Sequence, residues 1–491
     1  MPTRRPRFAD IGEEIRSFGD APFCRLDVQV VAEDQAFIEL VDQLWGEYFD
    51  SRKGGVGKRQ LSLLIANLYR CWWDDPEAFV ALPMSNRPKA YRAKINDQPN
   101  RYNPSEITGL IITQVNGLSD AGLIDNRRGG LHPDTHERLL TRIRPDLDLV
   151  AMFEALPVSA RQSITLHQNA EFIILRDADK NDINYTDTDE IRAMRRRLID
   201  YNLLLDRTFI DIPGLGHPAV IVTPNKVRPR GRQTYRRVTV SQSSKRVSRI
   251  FSNSDWDQGG RFWRGFWMSL KSEERQRLHI NDEPTVELDY AGLHPVLLYA
   301  EAGVDYWAGS DRRPYETIEV FDGDTGELIG PDIIKVFLLI MLNAKDRASG
   351  FKAVRKSLGG RTGDIRLTDN LLDRLLEAIR QRHPIVGDQL GTGVGNRLMN
   401  TDGRITDIII DQFTQMDIPV LTIHDSYIVA RQHEDLLRQT MVSAYQQVTG
   451  AKQVVIDRKE EGKEEVATDE YRKRHQRFLE ALGGLTGTDS D

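Results

Sequence analysis

Two short apolar runs, far apart in the chain, each end on an aspartate. Thr285-Val286-Glu287-Leu288-Asp289-Tyr290 alternates apolar and polar residues as a half-buried strand does. Pro419-Val420-Leu421-Thr422-Ile423 reads as a buried strand running into His424-Asp425-Ser426, and Tyr427-Ile428-Val429-Ala430 follows. The pattern predicts a strand–turn–strand hairpin with an acid at its tip. A carboxylate at the end of a buried strand is costly unless it is paired or binds a metal. Either aspartate alone reads as an ordinary loop cap. Together, on neighbouring strands, Asp289 and Asp425 would hold two Mg²⁺ ions about 3.5–4 Å apart, as two-metal phosphoryl transfer requires.

The region around these runs is mixed α/β, of the α+β kind, from about Asp255 onward. Helices are expected over Asp332 to Lys345, over Leu371 to Arg382 before Pro384, and over Ile405 to Met416. Residues 1–160 read as mostly helical, with apolar residues at helical spacing from Arg59 to Trp73. Within residues 104–144, Ser105 reads as the cap of a helix containing Ile107, Leu110, Ile111, Val115 and Leu118. A turn-rich basic segment and a return strand over Leu139 to Ile143 follow, in the order of a winged helix-turn-helix that binds DNA or RNA. Lys53-Gly54-Gly55-Val56-Gly57-Lys58 looks like a phosphate-binding loop, but Arg59 stands where Ser or Thr would hold Mg²⁺, so it reads as a flexible loop.

Between Glu190 and Arg264 there are sixteen Lys and Arg against six Asp and Glu. They cluster at Arg192 to Arg197, Lys226 to Arg237 and Lys245 to Arg249, and the aromatic residues Phe251, Trp256, Phe262, Trp263, Phe266 and Trp267 follow. Charge left uncompensated on that scale implies an anionic partner, which makes residues 161–251 a basic, thumb-like connector for nucleic acid through residues such as Arg236 and Arg237. The aromatics favour a place in the core. The net charge of −6 excludes a histone-like coat of positive charge but not a nucleic-acid enzyme. With only Cys24 and Cys71, a disulfide framework and a cysteine zinc site are both excluded, which suits a reducing cytoplasm. No apolar run approaches the ~20 residues of a membrane span, and no secretory signal is visible. Residues 458–491 read as a charged, solvated tail.

Four motifs in order then carry a family resemblance, over residues 252–430. Asp257-x-x-Gly260-Arg261, Glu287-Leu288-Asp289-Tyr290-Ala291-Gly292-Leu293-His294, Lys335 to Ala344 and Ile423-His424-Asp425-Ser426 resemble the conserved motifs of single-subunit nucleic-acid polymerases. That group contains DNA polymerase I and the phage and mitochondrial RNA polymerases. The resemblance implies a right-hand palm-and-fingers core over residues 252–457 and template-directed nucleotidyl transfer from nucleoside triphosphates, with Mg²⁺ or Mn²⁺ as cofactor. It implies that Asp289 and Asp425 bind metal, and that Lys335, with Tyr290, His294 and Asn343, contacts the nucleotide. It likewise places Arg261, Asp257 and His424, with Arg397 and Arg404 on the polar turn before the Ile405 helix, against template and primer.

The departures are specific. Pro331 stands where the family has an Arg, Asn343-Ala344 where it has an aromatic and Gly, and His294 where the DNA enzymes have Glu. Lys345, Arg347 or Lys352 are possible substitutes for the missing Arg. The sugar of the product stays open. Residues 1–250 contain no recognisable proofreading exonuclease, and a compact polymerase of this kind suits a mobile element or phage. A replication-initiation or regulatory DNA-binding factor with a decayed core is the rival reading, and a metal-dependent nuclease is a third.

Overall fold

The computed structural model describes residues 21–49, 54–85, 91–132, 138–224, 235–359, 365–459 and 464–483. The chain is mixed α/β with several small sheets. Its buried apolar residues fall into two large clusters, one from Cys24 to Ile164 and one from Ala170 to Tyr445.

The first cluster fills a body made of β1 (Phe23–Arg25), α1 (Gln35–Tyr48), α2 (Gly54–Asp74), β2 (Phe79–Leu82), α3 (Ile111–Asp120), β3 (Ile124–Arg127) and β4 (Thr141–Pro145). Asp34 starts α1 by accepting the backbone N–H groups of Ala36 and Phe37. α2 buries Leu61, Leu64, Ile65 and Leu68 completely. Each such side chain contributes about 1.5–3 kcal/mol of transfer free energy. Two expectations need correction here. Gly54 to Lys58 form the first turn of α2 rather than a loop, because the helix that buries Leu61 extends back through them. Ser105 does not cap a helix: its hydroxyl donates to the Val28 carbonyl, and α3 begins only at Ile111. β3 and β4 pair antiparallel after α3, in the sheet order β1-β2-β4-β3.

The second cluster holds β5 (Ile173–Leu175), α4 (Asp189–Asp206), β6 (Ile210–Asp211), β7 (Ser248–Ser252), β8 (Asp255–Trp263), β9 (His279–Ile280), β10 (Glu283–Tyr290), α5 (Leu293–Glu301), α6 (Pro331–Asn343), α7 (Arg347–Leu358), α8 (Asp369–Arg382), α9 (Gly395–Gln415), β11 (Leu421–Ile423), β12 (Ser426–Ala430), α10 (Glu434–Thr449) and β13 (Ile456–Arg458). The central sheet runs β6-β9-β10-β12-β11, with β13 paired to the end of β10. Every pair in it is antiparallel. The residues read as a connector supply Ile173, Leu198, Tyr201 and Val247 to this same core. Pro331 is the first residue of α6, a position where its missing N–H costs nothing. The Asn396 to Arg404 segment, expected as a polar turn, is the first half of α9.

Part of the basic stretch is compensated from within the chain. Arg195 bonds Asp187 and Glu171, Arg197 and Arg249 share Asp407, and Arg246 joins Asp206 to Asp27. These carboxylates mostly lie outside the window in which the charges were counted. Lys226, Arg228, Arg230 and Arg232 lie outside the described residues. Phe251, Phe262, Phe266 and Trp267 are core residues, as expected, whereas Trp263 is exposed. The final helix, α11 (Asp469–Leu482), is docked rather than solvated: buried Arg474 forms a two-pronged bond to fully buried Asp211.

Candidate active site

β10 and β12 pair so that Asp289 lies opposite Ser426, and the Tyr290 N–H donates to the Asp425 carbonyl at 3.2 Å. The hairpin expected around Asp425 is therefore formed, and its tip stands beside the end of β10. His424 takes the tight turn at φ 57°. On the other edge of β10, Asp457 of β13 lies opposite Asp289.

A cavity of about 460 Å³ opens over this sheet end. Asp289, Asp425, Arg261, His294, Lys335 and Asn343 all line it. β8, β10, the hairpin, α5 and α6 thus bring together residues scattered over more than 160 positions. Lys335 is exposed on α6 with its ammonium 5.5 Å from the centre of the Tyr315 ring. Among the described residues no carboxylate pairs with it.

Arg261 is held firmly. Its Nε donates to Asp402 of α9 at 2.5 Å, and its Nη2 donates to His294 Nε2 at 2.7 Å. A guanidinium can only donate, so the His294 proton sits on Nδ1, a buried atom with no partner among the described residues. Burial, then the adjacent Arg261 charge, lowers the His294 pKa to about 4, so the ring is neutral. Asp402 is fully buried, and burial lifts its carboxyl to about 6 against the pull of Arg261. α9 reaches β8 this closely because Gly403 lies on Gly260: a Cβ there would stand 2.2 Å from the Gly260 carbonyl oxygen. Gly260 itself has φ 82°, a conformation glycine adopts without penalty.

Asp289 is the most perturbed acid of the site. Burial, then the neighbouring Asp425 charge, pushes its carboxyl up to about 7. Ser426 donates to it at 3.1 Å, and the Lys459 ammonium stands 3.5 Å away. Lys459 is more closely engaged with Glu287 at 2.6 Å, which also takes both prongs of Arg275. Two hard carboxylates of one sign, set together and incompletely neutralised, suit a divalent ion such as Mg²⁺ or Mn²⁺. Among the described residues no cluster of three or more His, Cys, Asp or Glu is arranged to hold a metal, so further oxygens would come from substrate.

Several expected residues lie elsewhere. Tyr290 borders the cavity, but its ring is buried against Tyr427 and Tyr445 and its hydroxyl donates to the Met441 carbonyl, because strand alternation turns it away from Asp289. Asp257 is exposed and outside the cavity wall. Arg397 pairs with Glu301, and Arg404 is exposed on α9. Arg236 and Arg237 sit on the Tyr235–Thr239 strand, away from this cavity. His424 stands beside the cavity, edge-on to the Trp263 ring with centroids 4.5 Å apart. Arg347 pairs with Asp373 and does not replace the missing family Arg. Arg313 does line the cavity, held by Glu316 and by Asp457 at 2.5 Å. Nothing in the local sequence marks Arg313, Asp457 or Lys459; Gly403, mid-helix, is the one trace of Asp402's role.

No protein-family profile and no curated protein matches the chain.

Proposed function

We propose that the chain is a template-directed nucleotidyltransferase with a palm-and-fingers core, the central sheet serving as palm and α6 to α8 as fingers. The observation that carries this reading is the convergence of Asp289, Asp425, Lys335 and Arg261 on one cavity. Asp289 and Asp425 would hold two Mg²⁺ ions, which when bound lower the pKa of an attacking hydroxyl and neutralise the triphosphate. The primer hydroxyl attacks the α-phosphorus, its proton passes to solvent water, and pyrophosphate departs with the bridging oxygen as the bond from the α-phosphorus to that oxygen breaks. Lys335 binds the triphosphate and supplies charge, or a proton, to the pyrophosphate. Arg313 is the second cation for that triphosphate, in the role the family gives to a residue of α6. Arg261, fixed by Asp402, holds the nucleic-acid backbone, and His294 on the cavity wall contacts the incoming nucleotide.

The test is incorporation of labelled nucleotide with Mg²⁺, on primed and unprimed templates, with NTPs and dNTPs in separate tubes. Product that disappears with Asp425→Ala supports the reading and names the sugar. Tight nucleic-acid binding with no product in any tube transfers the assignment to the decayed-core binding factor. Degradation of the template without added nucleotide indicates the nuclease.

A further inference from the structure

The chain from Arg261 to Arg264 borders two spaces. Arg261 faces the catalytic cavity, while Arg264, just past the strand's end, lines another. This second space lies between the N-terminal body and the β5-β7-β8 unit. It has one chamber of about 610 Å³ reaching Arg92 and Tyr102, and an adjoining one of about 560 Å³ reaching Phe172 and Arg237. Both chambers share Arg25, Asp27, Gln29 and Arg264, so they form one groove.

The charges bordering the groove are unequal. Its carboxylates are already committed: Asp27 to Arg246 at 2.6 Å, Glu171 to Arg195 at 2.9 Å and Arg101 at 3.2 Å, and Asp182 to Arg176 at 2.8 Å. Arg25, Arg92 and Arg264 have no carboxylate partner among the described residues. Arg264 also sits at φ 94°, a left-handed conformation that costs a non-glycine residue about 1–3 kcal/mol. A Gly there would relieve that cost. The route to the catalytic aspartates is short: Asp425 adjoins His424, whose ring meets Trp263, the neighbour of Arg264.

We propose that this groove holds a single-stranded stretch of polynucleotide, with its phosphodiesters on Arg264, Arg25 and Arg92. The proposal rests on the polymerase reading of the catalytic cavity. Each chamber has the volume of a small-molecule site, suited to a few unpaired nucleotides and too small to enclose a duplex. Anchored tyrosines line the first chamber: Tyr102 donates to the Ile183 carbonyl and Tyr91 to the Pro83 carbonyl. Such rings are platforms for unpaired bases.

The experiment is fluorescence anisotropy of a labelled 12-residue single strand with the full chain, from 50 to 200 mM salt and without nucleotide. Arg264→Gly is expected to weaken binding about tenfold, as loss of a charge-assisted contact does. It should also lower the slope of log affinity against log salt by about 0.7. Its melting temperature should be unchanged or higher, since the strained backbone is relaxed. The double variant Arg25→Gln, Arg92→Gln should weaken binding by at least as much. Unchanged affinity and slope in both folded variants would overturn the proposal. So would variants that lose binding of a labelled mononucleotide yet hold the 12-residue strand as before, a result that would make the groove a free-nucleotide site. Absence of Mg²⁺-dependent incorporation by the native chain would defeat the polymerase reading instead, and the anisotropy result would stand apart from it.

Discussion

The aspartate-lined cavity and the arginine pairs elsewhere in the chain handle charge in opposite ways. Outside that cavity, Arg195, Arg246, Arg249 and Arg474 each find a carboxylate or a carbonyl oxygen, even when the partner is two hundred residues away. In the cavity, Asp425 lies near enough to raise the Asp289 carboxyl, and Lys335 lines the same space with no carboxylate partner among the described residues. Buried charge that serves only the fold is neutralised within the fold. Charge left exposed to like charge in a cavity, with perturbed acidity, marks a place where a ligand completes the balance.

The sharpest way to break this comparison is to remove one acid from each region. Asp425→Ala should reduce nucleotide incorporation by ~10³-fold or more while leaving the melting temperature unchanged or raised. An inactive, destabilised variant would make Asp425 structural. Asp211→Ala should do the reverse in kind: it strands buried Arg474 and costs about 3–5 kcal/mol in denaturant unfolding. A loss below ~1 kcal/mol would show that the fold tolerates unpaired charge there after all.

Smaller effects sharpen the division of labour in the cavity. Lys335→Ala should lower triphosphate use by ~10²-fold, as loss of a preorganised charge does. Arg313→Ala should raise KM for the triphosphate about tenfold with a lesser change in kcat, and Arg313→Lys should recover part of it. If Arg313→Ala leaves KM unchanged, the Asp457 contact is its whole purpose.

The remaining effect is a pH dependence, spread over several pH units. The Asp289 carboxyl rises from its ordinary 3.8 to about 7 in the folded chain. Between those values the folded state keeps a proton that the unfolded state has given up, so stability falls as pH rises. Asp289→Asn removes that loss. Without metal, its stability relative to the native chain should be flat below about pH 4 and grow by up to about 1.4 kcal/mol per pH unit toward pH 7. Above pH 7 it should be flat again. Unfolding curves at pH 4, 6 and 8 measure it, and added Mg²⁺ should erase the difference at pH 8.

The strands that carry Asp289 and Asp425, the helix that carries Lys335 and the core position of Phe262 and Trp267 were legible because period-two and helical patterns are local. Local reading also erred for local reasons. Ser105 looks like a cap, but its hydroxyl is drawn to the Val28 carbonyl. Tyr290 looks like a cavity residue because it follows Asp289, yet alternation sends its ring into the core. The count of sixteen basic residues ignored Asp27, Asp187 and Asp407, because a window on the sequence cannot contain partners from outside it. Arg313, Asp402, Asp457 and Lys459 enter the site only through contacts between distant segments.

What the sequence determined by itself was therefore the set of elements and the chemistry two of them present: strands that end on acids, and a helix bearing a lysine. Those depend on backbone periodicity and on the cost of burying a carboxylate, both properties of neighbouring residues. Only the tertiary structure decided which charges were spent on the fold and which remained for a ligand. Compensation of a buried charge depends on distance through space, and Arg249 with Asp407, or Arg261 with Asp402, meet only once α9 has settled onto β7 and β8.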